Sequence, residues 1–326
     1  MVRNDLGRIS ITMDFVGGRV RNRCRVALVG ALLTGCQPAE QVPTTSDVAA
    51  GPLVVYAVNF PLAWMAERIG GEAIEVVFPA PEGVDPAHWQ PTPETILNYQ
   101  AADMVLLNGA GYAEWIQFAA LSPGKLVDTS RGLATRFVSA GEATHSHGPG
   151  GEHDHGDVAS HTWLDPSLAA MQAQAVADAL QAFVPAANAA LERLQVDVAN
   201  LDSRLAVAFA GWSDAGVLYS HPVYQYLDAH YRLDGRSVSW EPGESPDDAE
   251  WQRLTGLLRS RPATVMLWEA EPLSSTTTKL NDLGITSVVF EVGDQTPTRG
   301  DYLALMQRNI ERLGTVDIQG GEDHQS

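Results

Sequence analysis

The chain has 326 residues, of which 45% are hydrophobic and 7% aromatic, enough for a sizeable core and two domains of ordinary size. Its 21 Lys and Arg residues are outnumbered by 40 Asp and Glu, which gives a formal net charge of −19. This balance argues against a nucleic-acid partner, because phosphate binding needs clustered positive charge. The two cysteines, Cys24 and Cys36, both precede the folded body. A metal bound in the folded body must therefore be held by nitrogen and oxygen ligands.

The N-terminus has the pattern of a lipoprotein signal peptide. Alternating arginines precede a short apolar run, 26–33, and small residues then lead to Cys36. That run is too short to span a bilayer. We expect residues 1–36 to be the signal peptide with its lipobox, and Cys36 to be lipidated and to anchor the chain to the membrane. Residues 37–51, rich in Pro, Thr, Ser and Ala, are predicted to be a flexible tether.

The first half of the body alternates short apolar runs with helical patterns. Strands are predicted at 52–58, 74–78 and 104–107, and helices at 61–69, 94–102 and 112–120. Strands separated by connections of helix length predict a parallel sheet. Residues 52–165 are therefore predicted to form an N-terminal α/β lobe, which includes a His-rich loop at 142–160.

The second half begins with a helical segment and then resumes the alternation. Residues 166–210 are rich in Ala and Leu and contain no glycine, which predicts a helical linker. Strands are then predicted at 217–220, 264–268 and 286–290, and helices at 223–230, 247–260, 275–283 and 302–313. Residues 211–314 are predicted to form a second α/β lobe, and 315–326 a tail. The fold class is α/β, with two Rossmann-like lobes joined by a long rigid helix and a ligand site in the inter-lobe cleft, outside the carboxyl ends of the strands.

Five of the nine histidines fall between residues 142 and 161, interleaved with glycine and acidic residues. A stretch this polar cannot pack a core, so its imidazoles are available to coordinate a borderline metal. The auxiliary metal-binding candidates in this loop are His145, His147, His153 and His155.

Three further candidates lie where a cleft site would use them. His88 follows the strand at 74–78, His161 opens the helical segment, and His221 directly follows the strand at 217–220. After the last strand, Glu291 and Asp294 are alternatives for a fourth ligand. Three imidazoles and one carboxylate match the tetrahedral preference of Zn²⁺ and leave little room for a catalytic water. The pattern therefore favours metal transport or storage over catalysis.

Several ordered motifs between about residues 53 and 313 resemble the zinc and manganese family of periplasmic solute-binding proteins of ABC importers. The matching segments are 85–93 (DPAHWQPTP), 102–109 (ADMVLLNG), Glu114-Trp115, 161–166 (HTWLDP), His221 with the aromatics after it, and 241–246 (EPGESP). A His-rich insertion just before the second ligand is also typical of zinc-handling members. The resemblance implies two α/β lobes, a connecting helix and a metal held between the lobes.

Two positions depart from the family pattern. The first ligand of the family follows the proline that matches Pro86, where this chain has Ala87 and places His88 one residue later. At the fourth ligand, zinc-type members have an aspartate that matches Glu291, and manganese-type members have one nearer Asp294. Of the two carboxylates we favour Glu291 slightly.

The resemblance implies high-affinity capture of zinc and its delivery to an ABC permease and its ATPase. The chain would act as a monomer, lipid-anchored on the periplasmic face of the cell membrane. Alternatives are a manganese-specific member of the same family (Mn²⁺ in place of Zn²⁺), an exported zinc hydrolase, and a surface adhesin or metallochaperone on the same scaffold. A hydrolase would need an open coordination position and a general base, and no motif of that kind stands in a fitting context.

Overall fold

Two parallel sheets of four strands each form the centres of two α/β lobes in the computed structural model, which describes residues 51–140, 145–146, 152–153 and 158–316. The predicted α/β class with two lobes is confirmed. Cys36 and the predicted signal peptide lie outside the described residues, as do nearly all of the tether and of the tail. In the described part of the chain, no helix is both long enough and apolar enough to cross a membrane.

The first lobe is built on a sheet with the strand order β2-β1-β3-β4. Its elements are β1 (Leu53–Ala57), α1 (Phe60–Gly70), β2 (Ile74–Val77), α2 (Pro93–Ala101), β3 (Met104–Leu107) and β4 (Leu126–Asp128). In β1, Val55 and Ala57 on one face are fully buried, and Val54 and Tyr56 on the other face are partly buried. After this lobe, the backbone of β5 (His145–Ser146) pairs antiparallel with β6 (Glu152–His153).

The linker consists of two helices, α3 (Pro166–Leu180) and α4 (Ala187–Ala208). The break between them contains Pro185, which cannot continue a helix because it lacks a backbone N–H and its ring clashes with the preceding turn. Helix α4 is the long helix, with 22 residues. It packs against α1, α3 and the C-terminal helix, so it contacts both lobes.

The second lobe has the strand order β10-β9-β7-β8. Its elements are α5 (Trp212–Ala215), β7 (Val217–Tyr219), α6 (Gln225–Tyr231), β8 (Arg236–Ser237), α7 (Asp248–Ser260), β9 (Val265–Trp268), α8 (Ser274–Asp282), β10 (Thr286–Val289) and α9 (Tyr302–Leu313). All three pairings are parallel, so the carboxyl ends of these strands meet at one edge.

One predicted element has a different form. Instead of a helix over 112–120, the chain makes a short 3₁₀ helix at Glu114–Phe118. The preceding residue, Ala113, has a left-handed backbone (φ 57°), as does Ala110 (φ 49°), and a right-handed helix cannot extend back through such residues. The loop after β3 therefore turns sharply, which brings Tyr112 into the interior.

Direct contacts join the two lobes beside the cleft. The backbone N–H of Phe60, at the start of α1, donates to the carbonyl of Asp294 at 2.9 Å. The indole N–H of Trp163 donates to the carbonyl of Val292 at 2.8 Å. A continuous core of buried residues also extends through both lobes and includes α3, α4 and α9. The lobes are thus tied at the base of the cleft, which restricts wide hinge motion.

His230 connects the second lobe to both linker helices. From α6, its Nδ1 lies 2.9 Å from Oδ1 of Asp165 and its Nε2 lies 2.9 Å from Oδ1 of Asp202. Asp165 caps the N-terminus of α3 by accepting from the backbone N–H of Ser167, and Asp202 lies on α4. The hydrogen bond to Asp165 is the main cause that raises the pKa of His230. Burial alone would raise the pKa of Asp165, but hydrogen bonds from His230 and Ser167 outweigh it and lower that pKa.

We expect His230→Gln to lower the stability of the metal-free chain most at mildly acidic pH. The folded pKa of His230 is raised above its usual 6.5, so its contribution is complete below that pH and is lost as the pH rises through the raised pKa. The contribution of Asp165 to stability is lost only when the pH falls below about 4 and this carboxylate becomes protonated. Charged hydrogen bonds of this kind contribute about 1–3 kcal/mol, with less from the more exposed Asp202.

Urea unfolding of the parent and His230→Gln at pH 5.5 and pH 8.5 measures this effect. The difference in free energy of unfolding should be larger at pH 5.5. A difference that is the same at both pH values would contradict the charged pairing.

Candidate metal site

A cleft of about 860 Å³ lies between the lobes, at the carboxyl ends of the second sheet. All five cleft residues that the sequence analysis selected line it: His88, His161, His221, Glu291 and Asp294. Their positions within it differ in burial and in the partners that each side chain has. These differences separate the candidates.

His161 lies on the floor of the cleft, 7% exposed. It immediately precedes the 3₁₀ helix Thr162–Leu164, and its ring lies 4.9 Å from the ring of Trp163 and 5.9 Å from that of Tyr112, between centroids. Its Nδ1 is 3.2 Å from Oγ of Ser160. A histidine whose ring is packed this way has a restricted orientation, which favours one nitrogen for a ligand.

His221 follows β7 and is 5% exposed. Its ring stands between two carboxylates, with Nε2 3.7 Å from Oε1 of Glu241 and Nδ1 3.6 Å from Oε1 of Glu269. A metal-bound imidazole uses one nitrogen for the ion and donates from the other, commonly to a carboxylate. Whichever nitrogen of His221 binds the ion, a carboxylate therefore lies near the other nitrogen and can accept its N–H.

The two alternatives for the last carboxylate have different environments. Oε1 of Glu291 lies 2.7 Å from Nη1 of Arg312, and its backbone N–H donates to Asn309. Glu291 is therefore already neutralised by a cation. Asp294 is half-buried, and burial followed by the charge of Asp85 raises its pKa to about 7. A carboxylate crowded in this way gains more from a bound dication.

The loop after β2 places a carboxylate beside the histidine that is out of register. Ala87, where the sequence resemblance predicts the first ligand, is buried and packs in the core, so it contributes only a methyl group. The His88 side chain is 37% exposed, and its Nε2 is 3.9 Å from Oδ2 of Asp85. Asp85 also accepts from the backbone N–H of Ala87 at 2.8 Å, which orders this turn. Both His88 and Asp85 line the cleft, and His88 is on its more exposed side.

Sequence reasoning missed three further groups near the site. Glu269 follows β9 directly, and Glu241 belongs to the segment 241–246. Tyr112 is buried, and its hydroxyl has no hydrogen-bond partner among the residues that the structure describes. Burial, then the charges of Asp294 and Asp85, raise the pKa of Tyr112, so its hydroxyl stays protonated. An acidic residue directly after a predicted strand was the available signal for Glu269.

The cleft carries a surplus of negative charge. Burial, then Asp294, Glu241 and Asp85, raise the pKa of Glu269 to about 8. Carboxylates this close cannot all ionise without a compensating cation. As the described side chains stand, no three His, Cys, Asp or Glu residues converge closely enough to hold an ion together.

The auxiliary candidates of the His-rich loop are not placed by the structure. His147 and His155 lie outside the described residues, and for His145 and His153 only the backbone pairing is described. Their role as auxiliary metal ligands stays a prediction.

Known relatives share this sequence pattern and fold. The chain is 22% identical to the zinc-binding lipoprotein AdcA of Streptococcus pneumoniae over 317 residues, which cover 90% of this chain and 60% of AdcA. It thus spans about 60% of the length of that relative. It is also 22% identical to the high-affinity zinc uptake system protein ZnuA of Bacillus subtilis over 284 residues, covering 84% of this chain and 86% of ZnuA.

A solved structure supports the same architecture. FpvC of Pseudomonas aeruginosa, in complex with Mn²⁺, matches with a TM-score of 0.65 at 21% identity and covers 80% of this chain and 96% of FpvC. A likeness at this identity supports the fold alone. The model of one family, described as the periplasmic component A of the zinc-uptake complex, matches residues 55–316 and so includes both lobes and the cleft. The chain belongs to this family of zinc-uptake periplasmic proteins.

Proposed function

We propose that the protein captures a divalent transition metal, zinc first, in the cleft between its lobes and delivers it to an ABC import permease and its ATPase. The observation that carries the proposal is the meeting of His161, His221 and Asp294 at one cleft, from segments far apart in the chain. Membership of a zinc-uptake family, with zinc named for AdcA and ZnuA, supports the same cargo.

The donor chemistry fits zinc. Neutral imidazole nitrogens and carboxylate oxygens are both ordinary Zn²⁺ ligands. Nine-tenths or more of each of His161 and His221 is buried, so an ion bound there is largely withdrawn from water. The negative charges of Asp85 and Asp294 attract a cation and compensate for the loss of its hydration.

Manganese is the second candidate cargo. FpvC, which has the same fold, is described with Mn²⁺. Carboxylate oxygens suit manganese better than imidazoles do, and the cleft is rich in them. A given site generally binds zinc more tightly than manganese, so a zinc titration is the first measurement.

The remaining parts of the proposal concern location and mode of action. Lipidation at Cys36 would hold a monomeric chain at the extracytoplasmic face of the membrane, beside its permease. AdcA is likewise named a lipoprotein. The family is one of transport proteins, and the cleft is proposed to bind and release its cargo without catalysis. Contacts such as Phe60 to Asp294 limit lobe separation, so release would proceed through local loop movement.

Calorimetric titration of the purified full chain in detergent tests metal capture. We expect one tight zinc site per chain, with weaker sites that disappear when residues 142–157 are deleted. His161→Ala and His221→Ala should each lower the affinity of the tight site by on the order of 100-fold, because each removes a ligand. His230→Gln is the matched control, since that histidine pairs with Asp165 outside the cleft.

Two results would count against the proposal. The first is the absence of a tight site in the parent chain. The second is retention of full affinity when both cleft histidines are replaced. Delivery is tested separately, by whether cells of the source organism without this chain accumulate less zinc from zinc-poor medium.

A further inference from the structure

Three neighbouring strands of the second lobe, β7, β9 and β10, are followed by polar residues that line the cleft. Strand β9 lies between β7 and β10, and in the ladder Leu267 pairs with Tyr219. Two residues beyond that pair, His221 follows β7 and Glu269 follows β9. Because adjacent strands are about 4.8 Å apart, the two side chains lie next to each other. Asp294 follows β10 on the other side, so Glu269 occupies the middle position.

Distances and electrostatics agree with this placement. Oε1 of Glu269 lies 3.6 Å from Nδ1 of His221, and the Glu269 side chain is 22% exposed. Asp294 and Asp85 line the same cleft. Among the residues that the structure describes, no Lys or Arg forms an ion pair with Glu269. The ionised form of a largely buried carboxyl without a basic partner is costly, and a bound cation would stabilise that form.

The loop after β2, by contrast, offers a histidine only on the exposed side of the cleft. Ala87 is buried there, and the neighbouring His88 is half-exposed on the rim. A tetrahedral ion bound by His161, His221 and Asp294 would still need a fourth donor. Of the remaining cleft side chains, Glu269 is the one in contact with His221 that also lies on the central strand end.

We infer that Glu269 is a direct oxygen ligand of the bound metal, beside His161, His221 and Asp294. The inference rests on the proposed function, that this cleft binds a divalent metal. Two imidazoles and two carboxylates neutralise a dication. Compared with three imidazoles and one carboxylate, this set raises the relative affinity for oxygen-preferring ions such as Mn²⁺. Glu269 would thus set how strongly the site prefers zinc.

Glu269→Gln in the full chain tests the inference, with Glu271→Gln as the matched control. Glu271 lies two residues further on, lines the same cleft and is exposed, so both variants replace one cleft carboxyl group with an amide of the same size. We expect Glu269→Gln to lower zinc affinity by about 10–100-fold and manganese affinity by more, and Glu271→Gln to change each by less than about 3-fold. The d–d absorption spectrum of bound Co²⁺ should change in Glu269→Gln alone.

Further measurements distinguish binding from a structural role. Removing a carboxylate that is repelled by its neighbours should leave the melting temperature of the metal-free chain equal to or above that of the parent. Glu269→Asp, which keeps the oxygen ligand on a shorter side chain, should recover part of the affinity. These results together would support direct ligation.

Several outcomes would overturn it. One is parental affinity and an unchanged Co²⁺ spectrum in Glu269→Gln. A second is lower affinity with an unchanged spectrum, which would make Glu269 a positioning residue for His221. Lower stability of the metal-free variant, with Glu269→Asp no better than Glu269→Gln, would indicate a structural role. Each of these leaves zinc capture by the parent intact, whereas a parent without a tight site would refute the proposed function itself.

Discussion

Replacing Asp294 with asparagine is expected to lower zinc affinity by on the order of 100-fold, the largest effect of any single carboxylate in the cleft. Asparagine has the same size but lacks the charge that would pair with the ion. The Asp294 carboxylate is held among other acids, and its pKa is raised to about 7 by burial and by Asp85. Competition titration with a zinc chelator measures the loss.

Glu291→Gln is the matched control for this substitution. Glu291 lies three residues earlier in the same loop and lines the same cleft, but its Oε1 is 2.7 Å from Nη1 of Arg312. We expect its removal to change zinc affinity by less than about 5-fold, because Arg312 already neutralises its charge. The exposed ion pair contributes at most about 1 kcal/mol to the free energy of unfolding. If Glu291→Gln lost affinity and Asp294→Asn did not, Glu291 would be the ligand, as the sequence favours. The preference for Asp294 that we draw from the structure would then be wrong.

The choice between these two carboxylates shows what the sequence could not determine. The strand-end rule selects the whole loop 291–294, since any acidic residue after the last strand can reach the cleft. Which residue faces an ion depends on Arg312, which lies on α9 and meets Glu291 only in the folded chain. Glu269 was within reach of the same rule, since it follows a strand that the sequence predicts. The ligand set as a whole stays a prediction.

Most of the fold followed from local patterns. The strand at 104–107 and the helix at 302–313 were predicted with their observed bounds, because continuous apolar runs and a clear helical period mark them. Strands β4 and β8 were missed, since they have three and two residues and are only partly buried. Such short edge strands form because a neighbouring strand is already in place, and a single-chain pattern carries little sign of that.

Trp163→Phe is expected to weaken zinc binding from outside the coordination sphere. Trp163 is 1% exposed, two residues after His161, and its indole N–H donates to the carbonyl of Val292, two residues before Asp294. It therefore joins the segment of one proposed ligand to the loop of another. Phenylalanine keeps an aromatic ring but loses this donor. We expect zinc affinity to fall by about 10-fold, the lower end for residues that orient ligands, and the free energy of unfolding to fall by roughly 2–4 kcal/mol.

Loss of stability alone does not demonstrate this coupling, so a second buried tryptophan serves as the reference. Trp212 is also 1% exposed, but it packs on Phe209 at the end of the linker, and it does not line the cleft. Trp212→Phe should cost stability through the smaller ring while leaving zinc affinity within about 3-fold of the parent. Equal losses of affinity in the two variants would mean that zinc binding follows global stability. A loss confined to Trp163→Phe would mean that the hydrogen bond between the lobes holds His161 and Asp294 at the spacing that the ion requires.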